Sequence, residues 1–426
     1  MRRAIMVSTV LVSTALAASL VRQADAAGWG VNQIQAPTGA YDFGESVAVS
    51  RDGNTALVAA PYEGCAAGGG CGAAYVYVRD GKGWRLQARL AASDAAADMN
   101  FGGDQWDDNT VALSANGNVA FIGINPGPSY APSTGAVYVF VRDHGAWQQQ
   151  QKLVRPDASD TGTDGFGRSV ASSDDGGTVV IGDGPWRYNF GFGPEGSAYV
   201  FTRVKGQWSA DAHLMGSRTE HGDGNRVSGF GRSVGISGDG HTVVVGSPGS
   251  PTDLLEAYVF TKVDHKGWQE QAILTPADKG AVDSYGSPVT SFGTSVAMSQ
   301  SGGTVVVGGD YGAAYIFQQH GPRGDWEEEA KIGSTIASKP RFAFSVDIDA
   351  AGQNAVVGDW AAGTAFLFHR TSDPRQGVQW VPQEVLAQSG GVGSSVAISG
   401  DANTIVVGYG VYVLDSRPQI GKQDVD

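Results

Sequence analysis

Residues 230–248, Phe230-Gly-Arg-Ser-Val-Gly-Ile-Ser-Gly-Asp-Gly-His-Thr-Val-Val-Val-Gly-Ser-Pro248, decide how the rest of the chain is read. Small and β-branched residues alternate through Ser233–Ser237 and again through Thr242–Gly246, which is the composition of short strands. Between them lies Gly238-Asp239-Gly240. An Asp-Gly pair suits a tight hairpin because one or both central residues take positive φ. Beyond a variable loop, Glu256–Thr261 and Trp268–Leu274 continue the pattern after a polar turn. The unit reads as a four-stranded antiparallel meander.

The same phrase returns along the chain. Phe43-Gly44-Glu45-Ser46-Val47, Phe166-Gly167-Arg168-Ser169-Val170 and Phe292-Gly293-Thr294-Ser295-Val296 match it closely, and weaker copies begin at Phe101, Phe342 and Val392. Seven starts, near 43, 101, 166, 230, 292, 342 and 392, are spaced by 50 to 65 residues, which suits four short strands with loops of different length. A Trp opens the fourth strand of every complete unit, at Trp84, Trp147, Trp208, Trp268, Trp326 and Trp380, and is expected to pack between neighbouring units. The seventh copy stops after its third strand, at Gly410–Leu414, whereas Trp29–Ala36 stands alone before the first Phe-Gly. The expected fold is therefore all-β, a seven-bladed β-propeller over residues 27–415 of four-stranded antiparallel blades, with 29–36 completing the last blade and a tail at 416–426. Closing the ring protects sheet edges that an open array would expose.

Phe-Gly-x-Ser-Val, then Ser-x-Asp-Gly-x-Thr-Val-Val-Val-Gly-x-Pro, then Ala-Tyr-Val-Phe, resembles the FG-GAP repeat of integrin α-subunit propellers and of exported bacterial proteins. The resemblance covers nearly all of the chain after residue 26, and it implies a propeller used for binding and adhesion. Integrin blades often carry an Asp-x-Asp/Asn-x-Asp-Gly calcium loop, and no segment here has that form.

Residues 1–26 read as a signal peptide: Arg2-Arg3, an apolar stretch from Ala4 to Val21, and Ala24-Asp25-Ala26 as the cleavage signal. The expected location is outside the cytoplasm, secreted or periplasmic, without a membrane span in the mature chain. Removing that peptide removes Arg2, Arg3, Arg22 and Asp25, leaving 26 Lys plus Arg against 42 Asp plus Glu, a net charge of −16. Such a chain repels phosphates, which argues against a nucleic-acid partner. Cys65 and Cys71 flank a Gly/Ala-rich segment, and in an exported protein they are expected to form a local disulfide.

In a meander blade the loops between strands two and three, and those leading to the next blade, emerge on one face. Ligand-binding candidates on this upper face are Tyr62, Asp183, Trp186, Tyr188, Asp310, Tyr311, Asp359, Trp360 and Tyr409, because aromatics stack on sugars or anchor protein interfaces and carboxylates bond hydroxyls. The blade-connecting carboxylates Asp157, Asp160 and Asp164 are the candidates for calcium, although that ion takes roughly six to eight oxygens. No other cofactor is expected. The dispersed His residues give no oriented nucleophile–base pair, so no catalytic residue is assigned. The reading is a monomeric, non-catalytic scaffold for an extracellular protein or glycan. A lectin and a polysaccharide-acting enzyme using Asp183, Asp310 or Asp359 are the alternatives.

Overall fold

A computed structural model of the chain describes residues 29–65, 69–81, 83–103, 109–124, 135–157, 165–184, 196–217, 229–248, 255–278, 291–309, 312–321, 324–333, 341–387 and 393–416. Among the described residues 28 strands form seven four-stranded antiparallel sheets and there is no helix. Six sheets are meanders of consecutive strands, running from β2 (Val47–Val49) to β5 (Trp84–Leu90) in blade one and from β22 (Phe342–Ile348) to β25 (Gly377–Ala387) in blade six. The seventh takes its outer strand from the far end of the chain. There β1 (Gly30–Gln33) pairs antiparallel with β28 (Tyr412–Asp415), setting Gly30 opposite Asp415 and Gln33 opposite Tyr412. Trp29 packs beside Val31 against the core shared by blades six and seven, as the count of Trp strands requires.

Each part of the repeated phrase has a physical task. The Phe of Phe-Gly is buried between its own blade and the preceding one, edge-on to two aromatics of the third strand, with ring centroids 5.3 to 6.4 Å apart in all six blades that have it. Burying one such ring is worth about 2–3 kcal/mol. The third-strand Tyr-Val-Phe pattern supplies both partners, and in every complete blade a β-bulge falls immediately before the second aromatic, as at Val200/Phe201 and Val259/Phe260. The extra residue bends the outer strand and increases its twist.

The Gly of Phe-Gly answers a close approach. At Gly231 φ is +82°, and a Cβ there would lie 2.0 Å from the Ser197 carbonyl oxygen of the preceding blade. Blade six departs from the rule: Ala343 takes φ +66° and is fully buried. The Ser of the phrase stitches neighbours, since Ser395 Oγ accepts the Val47 N–H, Ser295 Oγ that of Val346 and Ser345 Oγ that of Val396, each at 3.1 Å.

The Ser-x-Asp-Gly turn works in two directions. Locally, Ser237 Oγ bonds Asp239 at 2.6 Å and accepts the Thr242 N–H at 2.9 Å, so the side chains hold their own hairpin. The residue after each turn Ser, or after Asp349 in blade six, bonds its counterpart in the next blade. Main-chain hydrogen bonds of 2.9 to 3.2 Å run from Arg51 to Ala115, Asp174, Gly238, Gln300, Ala350, Gly400 and back to Arg51, a closed circle of seven.

Two outcomes test this account. Gly231→Ala is expected to destabilise the protein by more than about 2 kcal/mol, read as a lower midpoint in urea, because both the left-handed backbone and the Ser197 carbonyl oppose a methyl group. Deleting residues 29–36 is expected to lower the melting temperature of the whole ring, since β28 then loses its outer neighbour and blade seven is left with three strands. An unchanged melting temperature contradicts closure by β1.

Candidate functional site

The antiparallel meander sends the loops between strands two and three toward the upper face, and the sequence candidates divide there. Tyr62 is half-buried in the first of these loops, beside Cys65 and Cys71, which are disulfide-bonded. That loop lies on the next blade, where Phe101 N–H donates to the Cys71 carbonyl at 3.2 Å. Trp360 is half-buried between two neighbours: the Arg341 guanidinium sits over its ring at 5.3 Å, and Phe344 lies tilted at 6.3 Å. Tyr409 is 37% exposed, and burial, then Asp42 and Glu45, raise its hydroxyl pKa. Tyr62, Trp360 and Tyr409 belong to blades one, six and seven, which are consecutive around the ring.

The two described carboxylates among the ligand candidates serve the scaffold. Asp183 is buried with Arg155 Nη1 3.3 Å from its oxygen. Asp359 is 1% exposed and accepts the Ala362 N–H at 3.0 Å, closing the turn on which Trp360 sits. Burial raises its pKa against the pull of the backbone donors. Trp186, Tyr188, Asp310 and Tyr311 lie outside the described residues, as do Asp160 and Asp164.

Asp157, the remaining calcium candidate, is engaged within the protein. It accepts the Tyr199 hydroxyl at 2.8 Å and Arg155 Nε at 3.0 Å, while the His213 ring stacks on Tyr199 at 4.4 Å. Burial acts to raise its pKa, but the bonds from Tyr199 and Arg155 prevail and lower it. The arrangement recurs. Asp94 holds the Tyr138 hydroxyl and Lys152, each at 2.7 Å, and Asp278 holds Tyr315 at 3.0 Å together with Lys331. Each Asp stands four residues after the Leu that ends a fourth strand (Leu90, Leu153, Leu274), and its Tyr belongs to the third strand of the next blade. These carboxylates rivet blade to blade. The spacing Leu-x-x-x-Asp was the signal that could have identified them. Among the described residues no three His, Cys, Asp or Glu side chains gather as metal ligands do.

The axial channel carries a feature that the sequence reading did not single out. The innermost strands of all seven blades line a cavity of about 200 Å³. Its lower mouth is spanned by Arg51 Nε donating to Asp174 at 2.9 Å and Gln300 Nε2 donating to the same carboxylate at 2.6 Å. Inside, Asp347 Oδ1 accepts the Ile348 N–H and Oδ2 accepts the Ile398 N–H of blade seven, both at 2.8 Å. Burial pushes the Asp347 carboxyl up to about 6, despite those two donors and the positive charge of Arg51; Asp349 adds to the rise.

A carboxyl that titrates higher in the folded than in the unfolded chain binds extra protons in the folded state between about pH 4 and 6. Its contribution to stability therefore falls as pH rises through that window and is level above it. Asp347→Ala removes this term. The unfolding free energy of the variant relative to wild type is expected to rise by on the order of 2 kcal/mol between pH 4 and pH 7 in urea titrations, whereas parallel curves mean that the carboxyl titrates normally.

Residues 147–201 match the family model described as the FG-GAP repeat. No curated protein matches the chain. The matched segment covers most of one outer strand and reaches into the third strand of the following blade, and the remaining blades repeat that build, so the chain is a seven-bladed β-propeller that carries an FG-GAP repeat.

Proposed function

We propose that the protein is an exported, non-catalytic binding or adhesion scaffold whose upper face engages a protein or a glycan outside the cell. The observation that carries this reading is the placing of Tyr62, Trp360 and Tyr409 on the loops of three consecutive blades, with Trp360 ordered by Arg341 and Phe344. Half-buried aromatic rings fixed on a closed scaffold offer contact area at small entropic cost. The loops differ in length and composition from blade to blade, which favours one composite surface over repeated identical pockets. Of the three carboxylates that a polysaccharide-cleaving enzyme would draw on, Asp183 is paired with Arg155 and Asp359 is held by backbone N–H groups, which supports binding over turnover.

The experiment is a glycan array with the mature protein, Trp360→Ala and Tyr409→Ala, run with calcium and with a chelator. Specific binding that weakens roughly tenfold in either variant supports a carbohydrate site on this face. A blank array transfers the reading to a protein partner. Release of shortened sugars from any bound glycan overturns the non-catalytic assignment.

A further inference from the structure

Six blades place a small side chain at the middle of the innermost strand, namely Ala48, Ala112, Ala171, Gly235, Ala297 and Ala397, and blade six places Asp347 there. The six blades without a carboxylate form the same four-stranded sheet, so blade architecture does not require one. Asp347 is half-buried on the channel wall, and a carboxylate drawn partly out of water is destabilised unless a positive charge meets it. Asp347 meets only main-chain donors, one on each oxygen. Among the described residues no Lys, Arg or His forms an ion pair with it, and Arg51, whose charge reaches it from the channel mouth, is bound to Asp174.

The rest of the channel wall supplies main-chain carbonyl oxygens together with N–H groups. Ser50 donates its N–H to Thr55 across the first hairpin, so the alternation of an antiparallel strand turns the N–H and C=O of Val49 toward the axis. The same bond, Ser114 to Val119, Ser173 to Thr178, Ser237 to Thr242 and Ser299 to Thr304, turns Leu113, Ser172, Ile236 and Met298 inward at that level. The Ile398 N–H resting on Asp347 shows the orientation directly. A single negative charge, a ring of main-chain carbonyls and about 200 Å³ of space form a donor set for one hard cation with its water. One carboxylate beside the positive charge of Arg51 suits a single positive charge better than a double one.

We infer that the axial channel is a binding site for a small monovalent inorganic cation of sodium or potassium size, held by Asp347, main-chain carbonyl oxygens and water. The site is distinct from the upper-face surface and does not depend on what that surface binds.

The test uses the full mature protein at pH 8, melted in sodium or potassium chloride and in choline chloride at the same concentration, with Asp347→Ala and Asp347→Asn in parallel. Wild type is expected to melt about 2–4 °C higher in the alkali salt, and both variants are expected to lose that difference. Broadening of the sodium-23 resonance by wild type, absent with Asp347→Asn, is the second readout and needs only a folded variant. Equal melting in the two salts without line broadening overturns the inference, as does a salt difference that survives in either variant. A response to calcium chloride alone overturns the assignment to a monovalent ion.

Discussion

A circle of seven main-chain hydrogen bonds, closed from Arg51 back to Arg51 through Gly400, is the constraint on which this structure depends. Each blade contributes one donor and one acceptor at the same level, so no blade can shift along the axis without breaking bonds on both sides. Outside the circle, the outer edge of the last blade is completed from the far end of the described chain. The short strand Gly30–Gln33, pairing with Tyr412–Asp415, links the two ends of the described chain in a single sheet.

Around this circle the blades are held by three kinds of contact at increasing radius. Ser hydroxyls accept main-chain N–H groups of the next blade near the axis. The Phe of the repeat, clamped by two third-strand aromatics, fills the middle of each wedge, with Phe166 against Tyr199 and Phe201 as an example. Outer-strand Trp residues close the periphery. Trp268 donates to Asp211 and Trp380 to Glu329, each an acceptor on the preceding blade, at 2.9 and 3.0 Å. The Asp–Tyr–Lys or Asp–Tyr–Arg rivets add a polar link at the upper rim, and carboxylates engaged there are not available to a metal.

With the scaffold fixed at so many points, function is left to loops and to exceptions in the repeat. The upper-face aromatics stand on the connections whose length varies from blade to blade, where change costs the ring least. Blade six collects the exceptions: Ala343 in place of Gly at positive φ, Asp347 in place of Ala or Gly, and Asp349 in place of the turn Ser. Asp349 has an evident structural use, since its oxygens accept the Gln353 N–H at 2.7 Å and the Asn354 side chain at 2.7 Å. Asp347 in turn ties blade six to blade seven through the Ile398 N–H at 2.8 Å, a bond for which the other blades place no carboxylate.

The fold was legible in the sequence because its determinants are local and recur. Asp-Gly turns, alternating strands, a Trp at one place in each unit and a spare Trp strand at the start define blade, number and closure through short-range sterics and burial. Contacts between blades were not legible, because a repeat pattern gives the order of strands along the chain and not which side chains meet across a wedge. Asp157 therefore read as a metal candidate, and only the packing of the next blade brought Tyr199 onto it, beside the sequence-local Arg155. Asp183 and Asp359 likewise read as presented to solvent, whereas the folded chain buries Asp183 against Arg155 and Asp359 at the turn it closes. The sequence by itself determined a ring of seven blades, since each blade's hydrophobic faces and turns are encoded within about sixty residues. Tertiary structure alone decided which carboxylates the ring consumes and that Asp347 faces the axis, because burial and charge pairing arise only where separate blades converge.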